Sequence, residues 1–535
     1  MPREMRLQIF SYLSYKDLRR ALLVCREWRN IGEDPRLWRE VAVTLDCGNV
    51  EMTRTVLGFR RFLFLKKITL ICGPQTKYCK CARHLQEQEE QFYEVLSCIV
   101  RHQKTEQVAL NLHPLILTNV TISKFHNFIT FCTSLKVLEL KNVKLNNYQM
   151  ETVFMRMKNE SNLEELCLED IDLQGISSQI LAEALNKLER LTILDDVKIS
   201  KEQLGTIFKT MSNDTNLKTL TLYRGNLDET DLSDIDPCDF GNGGSKLSKL
   251  SICGYISRNQ LNALLKNVVQ KSKLKALELG YCGSFYHQEL FCSLKNVNPF
   301  LLKEAIHKLE KFSLKCPGHC TAGWQLEMFQ NIQEDDLQMV HLDTTGSSCL
   351  SATNNLSKLL KLFAKLASLS VASTGLHETS TPLFKTIMEG GSNLSQLDIS
   401  NNDLSHVDPC VLSMSINMLK IVRMENASLS KDQVKYIFCN MARSTALEDL
   451  NINKNDISHV EDNTLAVAVN KLRKAQLDST YITMNQLVKM FSKCCEKTRL
   501  SLLSLGLNQE IKHVMYRDNL LLLRKVDRYI NKLIL

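Results

Sequence analysis

The stretch LSQLDISNNDL, from Leu394 to Leu404, decides the fold, because it returns as LEDLNINKNDI from Leu447 to Ile457. Both copies follow the pattern L-x-x-L-x-L-x-x-N-x-L, with Ile accepted in place of Leu. The apolar residues at positions 4 and 6 are two apart, which predicts a short strand with both side chains on one face. The Asn at position 9 predicts a turn in which the amide satisfies buried backbone groups.

Looser copies of this pattern run through most of the chain. From Leu394 onward the copies follow one another at alternating steps of 25 and 28 residues, so the unit there is a pair of about 53 residues. Weaker copies near Leu65 and Thr105 extend the series toward the N-terminus. The other copies start at Leu135, Leu163, Leu188, Leu217, Leu247, Leu274, Leu309, Leu337, Leu366, Leu419, Leu472 and Leu500.

A second segment repeats in step with the first. LAEALNKL (Leu181–Leu188) returns as LSMSINML (Leu412–Leu419) and as LAVAVNKL (Leu465–Leu472). Each is followed by a related stretch, such as LSKDQVKYIF from Leu429, whose apolar residues have helical spacing. One strand with one helix cannot bury its own apolar face, whereas stacked neighbours can, so the pattern predicts a solenoid.

These repeats resemble the leucine-rich repeat family, in particular its 28-residue, helix-containing kind found in ribonuclease inhibitor. The resemblance covers residues 65–511 and implies an α/β solenoid, a curved leucine-rich repeat horseshoe of about sixteen repeats. Strands pack about 4.8 Å apart and helices about 10 Å apart, so the stack is expected to curve with its strands on the inside. Residues 512–535 are expected to form a C-terminal capping helix.

Two stretches interrupt the repeats and are predicted to be surface loops. The first, Cys72–Gln91, lengthens one step of the series. The second, Asp228–Ser245, contains DIDPCDFGNGGS, the Gly-rich spot of a chain otherwise poor in Gly and Pro.

Residues 1–45 carry no repeat and have the pattern of short helices. They resemble the F-box family through the pattern P-x-E-x-x-x-x-I-F-x-x-L…D-L…V-C-R-x-W…L-W, which begins here at Pro2 and ends at Trp38. The resemblance implies a small all-α module that docks on the SKP-type adaptor of an SCF (cullin–RING) ubiquitin ligase. The residues that it assigns to adaptor binding are Pro2, Glu4, Ile9, Phe10, Leu13, Leu18, Val24, Trp28 and Trp38.

The size of this module supports docking independently of the resemblance. Some forty residues cannot build a self-sufficient core, and two Trp with several aliphatic residues give more apolar surface than three short helices can enclose. Part of that surface is expected to pack on a partner. The alternative is a cap that shields the open end of the solenoid and binds no adaptor.

Charge and composition exclude several function classes. The 67 basic and 59 acidic residues give a net charge of only +8 and form no basic stripe, which argues against a nucleic-acid partner. The longest apolar runs are far too short for a membrane span. No secretory signal is found, so the 19 Cys are expected to be reduced, buried thiols and the location to be cytoplasmic or nuclear.

Residues that could perform chemistry are scattered. Cys72, Cys79, Cys81 and His84 lie close together but lack the usual spacing of a zinc site, as does the cluster Cys316–Cys320. The triplet Asp239–Gly241 matches a kinase metal-binding motif without the motifs that accompany it there. We therefore expect no metal, no cofactor and no catalytic centre.

Recognition is the remaining task for the solenoid. Side chains that alternate with the core Leu face the inner side of the strands, and their mix of charges suits a protein partner. The candidate partner-binding residues are Glu139, Lys141, Glu169, Thr221, Tyr223, Glu278, Asp398, Arg423, Asn451, Asn453 and Asp478, of which Tyr223 and Arg423 are of types enriched in binding hot spots.

The function predicted from these features is that of a non-catalytic substrate receptor of an SCF ubiquitin ligase. The F-box would dock the SKP adaptor and, through it, the cullin–RING ligase, and the inner solenoid face would hold a protein target. The alternative is a free-standing scaffold or inhibitor that needs no adaptor. An unrecognised hydrolase would need a catalytic cluster that the sequence lacks.

Overall fold

The structure is a computed structural model. The residues that it describes are 3–11, 18, 20–34, 37, 42–46, 67–71, 107–111, 135–141, 145–194, 197–223, 232–254, 256–280, 297–315, 338–346, 365–376, 380–493, 499–506 and 532–534. Within these ranges no helix has both the length and the apolar character that a membrane crossing requires.

The chain divides into two compact units, and the first comprises Met1–Asn267 with Lys271–Leu274. Its strands pair in parallel, each with the next along the chain: β1 (Ala42–Asp46), β2 (Lys67–Ile71), β3 (Gln107–Asn111), β4 (Val137–Lys141), β5 (Glu165–Glu169), β6 (Arg190–Ile193), β7 (Thr219–Tyr223) and β8 (Lys249–Cys253). Its helices are α1 (Arg3–Ser11), α2 (Arg26–Gly32), α3 (Asn147–Glu160), α4 (Ser178–Leu185), α5 (Lys201–Asn213), α6 (Pro237–Lys246) and most of α7 (Arg258–Lys271).

The second unit comprises Val268–Gln270 with Lys275–Leu535 and has the same plan. Its parallel strands are β9 (Ala276–Gly280), β10 (Lys311–Lys315), β11 (His341–Asp343), β12 (Ser368–Ser370), β13 (Gln396–Asp398), β14 (Ile421–Arg423), β15 (Asp449–Asn451), β16 (Lys474–Gln476), β17 (Leu502–Ser504) and β18 (Lys532–Ile534). Its helices are α8 (Pro299–Lys308), α9 (Thr381–Met388), α10 (Pro409–Met418), α11 (Lys431–Arg443), α12 (Asp462–Lys471) and α13 (Met484–Lys493).

The predicted α/β solenoid is confirmed, and sixteen of the described strands, β2 to β17, lie within the predicted repeat region 65–511. The strand register places the apolar position of each repeat beside its neighbour's, as in the buried row Leu397, Val422, Leu450. Two further strands, β1 and β18, extend the array beyond that region. The predicted C-terminal helix over 512–535 is wrong at Lys532–Ile534, because those residues pair with β17.

Side-chain amides in the turns join consecutive repeats. The Nδ2 group of Asn455 donates to the carbonyls of Ile452 and Asn453 in its own repeat and to that of Met424 in the preceding one, at 2.8–3.0 Å. Asn402 makes the equivalent bonds one repeat pair earlier, and both residues are buried. The role predicted for the Asn at position 9 is therefore confirmed.

The prediction of a surface loop over Asp228–Ser245 is wrong for its second half, which forms α6. Asp236 caps this helix by accepting hydrogen bonds from two backbone N–H groups, and Pro237 occupies the first turn. The glycines allow close packing: a Cβ on Gly241 would lie 2.8 Å from the backbone of Ala263, and one on Gly243 would lie 2.8 Å from a backbone carbonyl oxygen of α5. Composition alone predicted a loop, but here the glycines allow α6 to pack closely against α5 and α7.

Candidate functional site: the N-terminal helices and the sheet faces

The N-terminal helices pack around a small apolar core. Phe10 of α1 meets Trp28 of α2 edge to face, with ring centroids 5.2 Å apart. The buried apolar residues of this region are Leu7, Phe10, Leu18, Ala21, Leu22, Ile31 and Leu37. Other described apolar side chains of this region, among them Ile9 and Val24, are exposed.

The turn before α2 fixes how that helix meets the core. The Cys25 sulfur accepts a hydrogen bond from the Trp28 backbone N–H at 3.4 Å and so caps the helix. The Arg29 Nε donates to the Leu22 carbonyl at 3.3 Å, which ties α2 back to the preceding segment. A side chain at Gly32 would meet Leu22, because a Cβ there would lie 2.6 Å from the Leu22 Cδ2.

Two ion pairs hold α1 against the region of α2. The Arg3 guanidinium lies 3.2 Å from the carboxylate of Asp34, which is buried. Arg6 pairs with Glu27 at the exposed side of the same contact. The relative placement of the two helices is thus set by polar groups as well as by the Phe10–Trp28 contact.

An exposed apolar surface remains on these helices. It is formed by Met5 and Ile9 of α1, Leu23 and Val24 before α2, and Trp28, and we call these five residues the N-terminal apolar surface. Leu23 is 79% exposed and Val24 is 62% exposed, so both aliphatic side chains are largely open to solvent. Several exposed apolar side chains on one small module are a feature that protein interaction sites share.

The predicted adaptor-binding residues divide into three groups. Ile9, Val24 and Trp28 belong to the N-terminal apolar surface, and Glu4 is exposed on α1. Phe10 and Leu18 are buried, so they support the surface from below and do not form it. The remaining three, Pro2, Leu13 and Trp38, lie outside the described residues.

Met5 and Leu23 are members of this surface that the sequence prediction missed. Met5 lies one helical turn from Ile9, a spacing that places both residues on one face. Leu23 directly precedes Val24, so the signal for it was adjacency to a predicted contact residue.

In the first unit, the solvent face of the sheet carries ion pairs between neighbouring strands. Lys141 pairs with Glu169, its partner in the strand register, and Arg190 lies 3.0 Å from Glu165. Tyr223, at the end of β7, is exposed. Of the predicted partner-binding residues here, Lys141 and Glu169 are thus engaged with each other, whereas the Tyr223 ring is available for contact.

A thiol lies on the same face but is not activated. Burial, followed by the neighbouring carboxylates of Glu139 and Glu169, raises the pKa of Cys167 to about 11. At neutral pH this thiol stays protonated, and a protonated thiol is a poor nucleophile.

In the second unit, most predicted partner-binding residues are held by the protein itself. Glu278 pairs with Lys311 at 2.6 Å, and Asp398 accepts a hydrogen bond from the Ser400 backbone N–H at 3.1 Å. Asn453 is buried and donates to the Asp478 carboxylate at 3.1 Å.

Arg423 is the exception among these residues. It is exposed at the end of β14, between Asp398 and Asn451 in the strand register. Its carbonyl accepts from the Ile399 N–H within the sheet, but in the described part of the chain its guanidinium has no hydrogen bond or ion pair, so that group can bind an outside partner.

The candidate metal clusters, Cys72–His84 and Cys316–Cys320, lie outside the described residues. Among the residues that are described, no group of three or more His, Cys, Asp or Glu is arranged to hold a metal ion.

The triplet Asp239–Gly241 lies in α6 with Phe240 fully buried, so it serves packing. Cys253 is disulfide-bonded, so the expectation of reduced thiols is wrong at that position.

Comparison with known proteins addresses both parts of the chain. Residues 1–44 match the F-box-like family model. Among solved structures, the chain is similar to one described as the crystal structure of the Rad7 and Elc1 complex in yeast, at 12% identity and a TM-score of 0.37, over 80% of this chain and 90% of that one. The family match, together with the strand–helix array, confirms the prediction of an F-box-like module followed by a repeat solenoid.

Proposed function

We propose that this protein is a substrate-recognition subunit of an SCF (cullin–RING) ubiquitin ligase. In this proposal the N-terminal apolar surface docks on a SKP-type adaptor, and the solvent face of the strands holds a protein target. The observation that supports it most is the coincidence of the F-box-like match with exposed aliphatic and Trp side chains on the same helices. The proposed site of action is the cytosol or the nucleus.

The protein's contribution to ubiquitin transfer is proximity. The chemistry belongs to other subunits, and holding the target beside them raises the effective concentration of its lysines. No catalytic residue of this chain is needed for that role. The array serves it because a solenoid offers an extended row of strand positions to one partner.

Tyr223 and Arg423 are the proposed contributors to target binding on their respective strand faces. Tyr and Arg supply much of the binding energy of protein interfaces, and both side chains are exposed here. Lys141, Glu278, Asp398, Asn453 and Asp478 bind neighbouring groups of the protein, so their first role is to hold the strand face in place. Glu139 flanks Cys167 on the first of these faces.

Single substitutions on the N-terminal apolar surface test adaptor docking. Val24→Asp and Ile9→Asp change exposed side chains, so the fold should be retained, whereas docking should weaken by about 2 kcal/mol or more, roughly thirtyfold, for a central contact. The measurement is a binding titration of the purified full-length protein with a SKP-type adaptor. Tyr148→Asp is the control, because Tyr148 is also exposed but lies on α3, away from this surface in the sequence.

The alternative, a scaffold or inhibitor that recruits no ligase, predicts a different result. Wild-type protein would then show no measurable affinity for the adaptor, while its target complexes would be unaffected by Val24→Asp. Equal adaptor affinity for wild type, Val24→Asp and Ile9→Asp would also contradict the proposed docking surface.

A further inference from the structure

Basic side chains gather at one edge of the second unit, where its helices end and its strands begin. Lys420 directly precedes β14, Arg473 directly precedes β16, and Arg499 lies three residues before β17. Arg443 and Lys471 are the last residues of α11 and α12. We call these five residues the basic edge.

Hydrogen bonds show that these residues are neighbours. The Arg473 N–H donates to the Glu448 carbonyl at 2.7 Å, and the Glu448 N–H donates to the Lys420 carbonyl at 2.8 Å. The Lys471 Nζ, two residues before Arg473, donates to the Arg443 carbonyl at 3.0 Å and so joins the helix ends to the strand starts. The sequence shows no basic run here, because the five residues come from four separate segments.

The three arginines of the basic edge are open to solvent. The Ser501 N–H donates to the Arg473 carbonyl at 2.7 Å, so Arg499, two residues before Ser501, lies at the start of the strand next to that of Arg473. Arg443, Arg473 and Arg499 are exposed, and in the described part of the chain their guanidinium groups have no hydrogen bond or ion pair. Each guanidinium can therefore donate to an outside group.

Basic residues at the strand starts of earlier repeats are neutralised by a neighbouring strand. Lys218, directly before β7, lies 2.6 Å from Glu189, directly before β6. Lys275, directly before β9, lies 2.6 Å from Glu310, directly before β10. On the basic edge, Glu448 lies between two basic strand starts, and among the described residues it forms an ion pair with neither.

A structural role explains only part of the basic edge. Basic side chains at a helix C-terminus interact favourably with the helix dipole, which accounts for Arg443 and Lys471. Arg473 and Arg499 precede strands, whose net dipole is small. Because Glu448 is the one described carboxylate placed in this row among five basic side chains, the described part of the edge keeps a net positive charge.

We propose that the basic edge binds an acidic segment of a protein target, whose Asp or Glu carboxylates pair with the three guanidiniums. The planar guanidinium fork matches a carboxylate at two points. A peptide can also donate backbone N–H groups to Glu448, whereas a phosphate backbone would be repelled there. The edge borders the strand face at Lys474, so one target can contact both. The inference rests on the proposed function for the role of the partner as a target, and it names the class of that target.

Fluorescence anisotropy with a labelled peptide tests the proposal on the purified full-length protein. The probe is a twelve-residue peptide of alternating Glu and Ser with blocked ends, which in extended form places its carboxylates about 7 Å apart on one face. A Gln–Ser peptide of the same length and a thymidine oligonucleotide with the same six charges are the comparisons. We expect the Glu–Ser peptide to bind at least about tenfold more tightly than either, with an affinity that falls as salt is added.

The double variant Arg473→Ser, Arg499→Ser should weaken binding of the Glu–Ser peptide about tenfold, because two ion pairs are removed. Arg258→Ser, Lys266→Ser removes the same charge from exposed positions on α7 and should leave the affinity within about twofold. All four side chains are exposed, so thermal unfolding should be unchanged in both variants.

No binding of the Glu–Ser peptide to the wild type would overturn the proposal, as would tighter binding of the oligonucleotide. Equal weakening in the two double variants would overturn it too, since a general charge effect would then explain the binding. The SKP-type adaptor should bind Arg473→Ser, Arg499→Ser as it binds the wild type, so this inference and the proposed adaptor docking fail separately.

Discussion

Replacing Gln433 with Leu should loosen the repeats around α11, because this buried amide joins two of them. The Gln433 Nε2 donates to the carbonyls of Leu404 and Val407 in the preceding repeat, at 2.7 Å each. Its Oε1 accepts from the backbone N–H of Ser430, which in turn caps the helix. Leu has nearly the volume of Gln, so the substitution removes hydrogen bonds without opening a cavity.

The expected cost follows from the groups left without a partner. The Leu404 carbonyl keeps the hydrogen bond from the Val407 N–H at 3.0 Å, so it loses one hydrogen bond but not its last one. The Val407 carbonyl and the Ser430 N–H are left without a hydrogen-bond partner, and each such buried polar group costs about 1–3 kcal/mol. We therefore expect Gln433→Leu to destabilise this region by about 3 kcal/mol.

Hydrogen exchange measured by mass spectrometry reports the loss of stability separately for each segment of the chain. This suits a solenoid, because each repeat contacts only its neighbours. Amides in and around α11 should exchange about a hundredfold faster, whereas those of α5 in the first unit should be unaffected. Lys435→Leu, on the exposed side of the same helix, is the matched control. Indistinguishable exchange in the two variants would refute the reasoning.

Two further predictions concern glycine and cysteine. Gly241→Ala should destabilise the protein by about 1–3 kcal/mol, since its Cβ would press on the Ala263 backbone. A Cβ on Gly205, in α5, would meet no other atom, so Gly205→Ala should stabilise the protein by about 0.5–1 kcal/mol. Thermal unfolding of the two variants compares these effects. Iodoacetamide should alkylate Cys167 with a rate that rises toward pH 11, whereas a midpoint near 9 would contradict the raised pKa. Since the protonated thiol is favoured on folding, its contribution to stability is full below about pH 9 and is lost as pH rises toward 11.

The repeat pattern predicted the strands well because each strand depends on local apolar spacing. The template at Leu394 and Leu447 led directly to β13 and β15, and its Asn led to the amide bonds of Asn402 and Asn455. These features recur within a few residues of one another, which is the range that a sequence pattern can express.

Contacts across repeats were harder to predict. Gln433 bonds to carbonyls 26 and 29 residues earlier, and periodicity alone does not indicate such a bond. A signal did exist, because Ser430 and Gln433 form a capping box, as do Ser200 and Gln203. The glycines of α6 were misassigned for the opposite reason: Gly is typical of loops, and only the packed neighbours reveal its role.

The N-terminal module was predictable in part. The F-box resemblance identified Ile9, Val24 and Trp28, which the structure leaves exposed. It also assigned Phe10 and Leu18 to the adaptor, although both are buried. A linear motif marks residues that matter to a module but does not separate its core from its surface, since that depends on how the helices pack.

The most direct test of the proposed function is quantitative affinity mass spectrometry on the full-length protein in cells, comparing wild type, Val24→Asp and Arg423→Ala. We expect Val24→Asp to lose the SKP-type adaptor and the cullin while keeping its other partners. Arg423→Ala should keep both ligase subunits and lose only partners held by the strand face. Adaptor and cullin recovered equally with wild type and Val24→Asp would contradict the account.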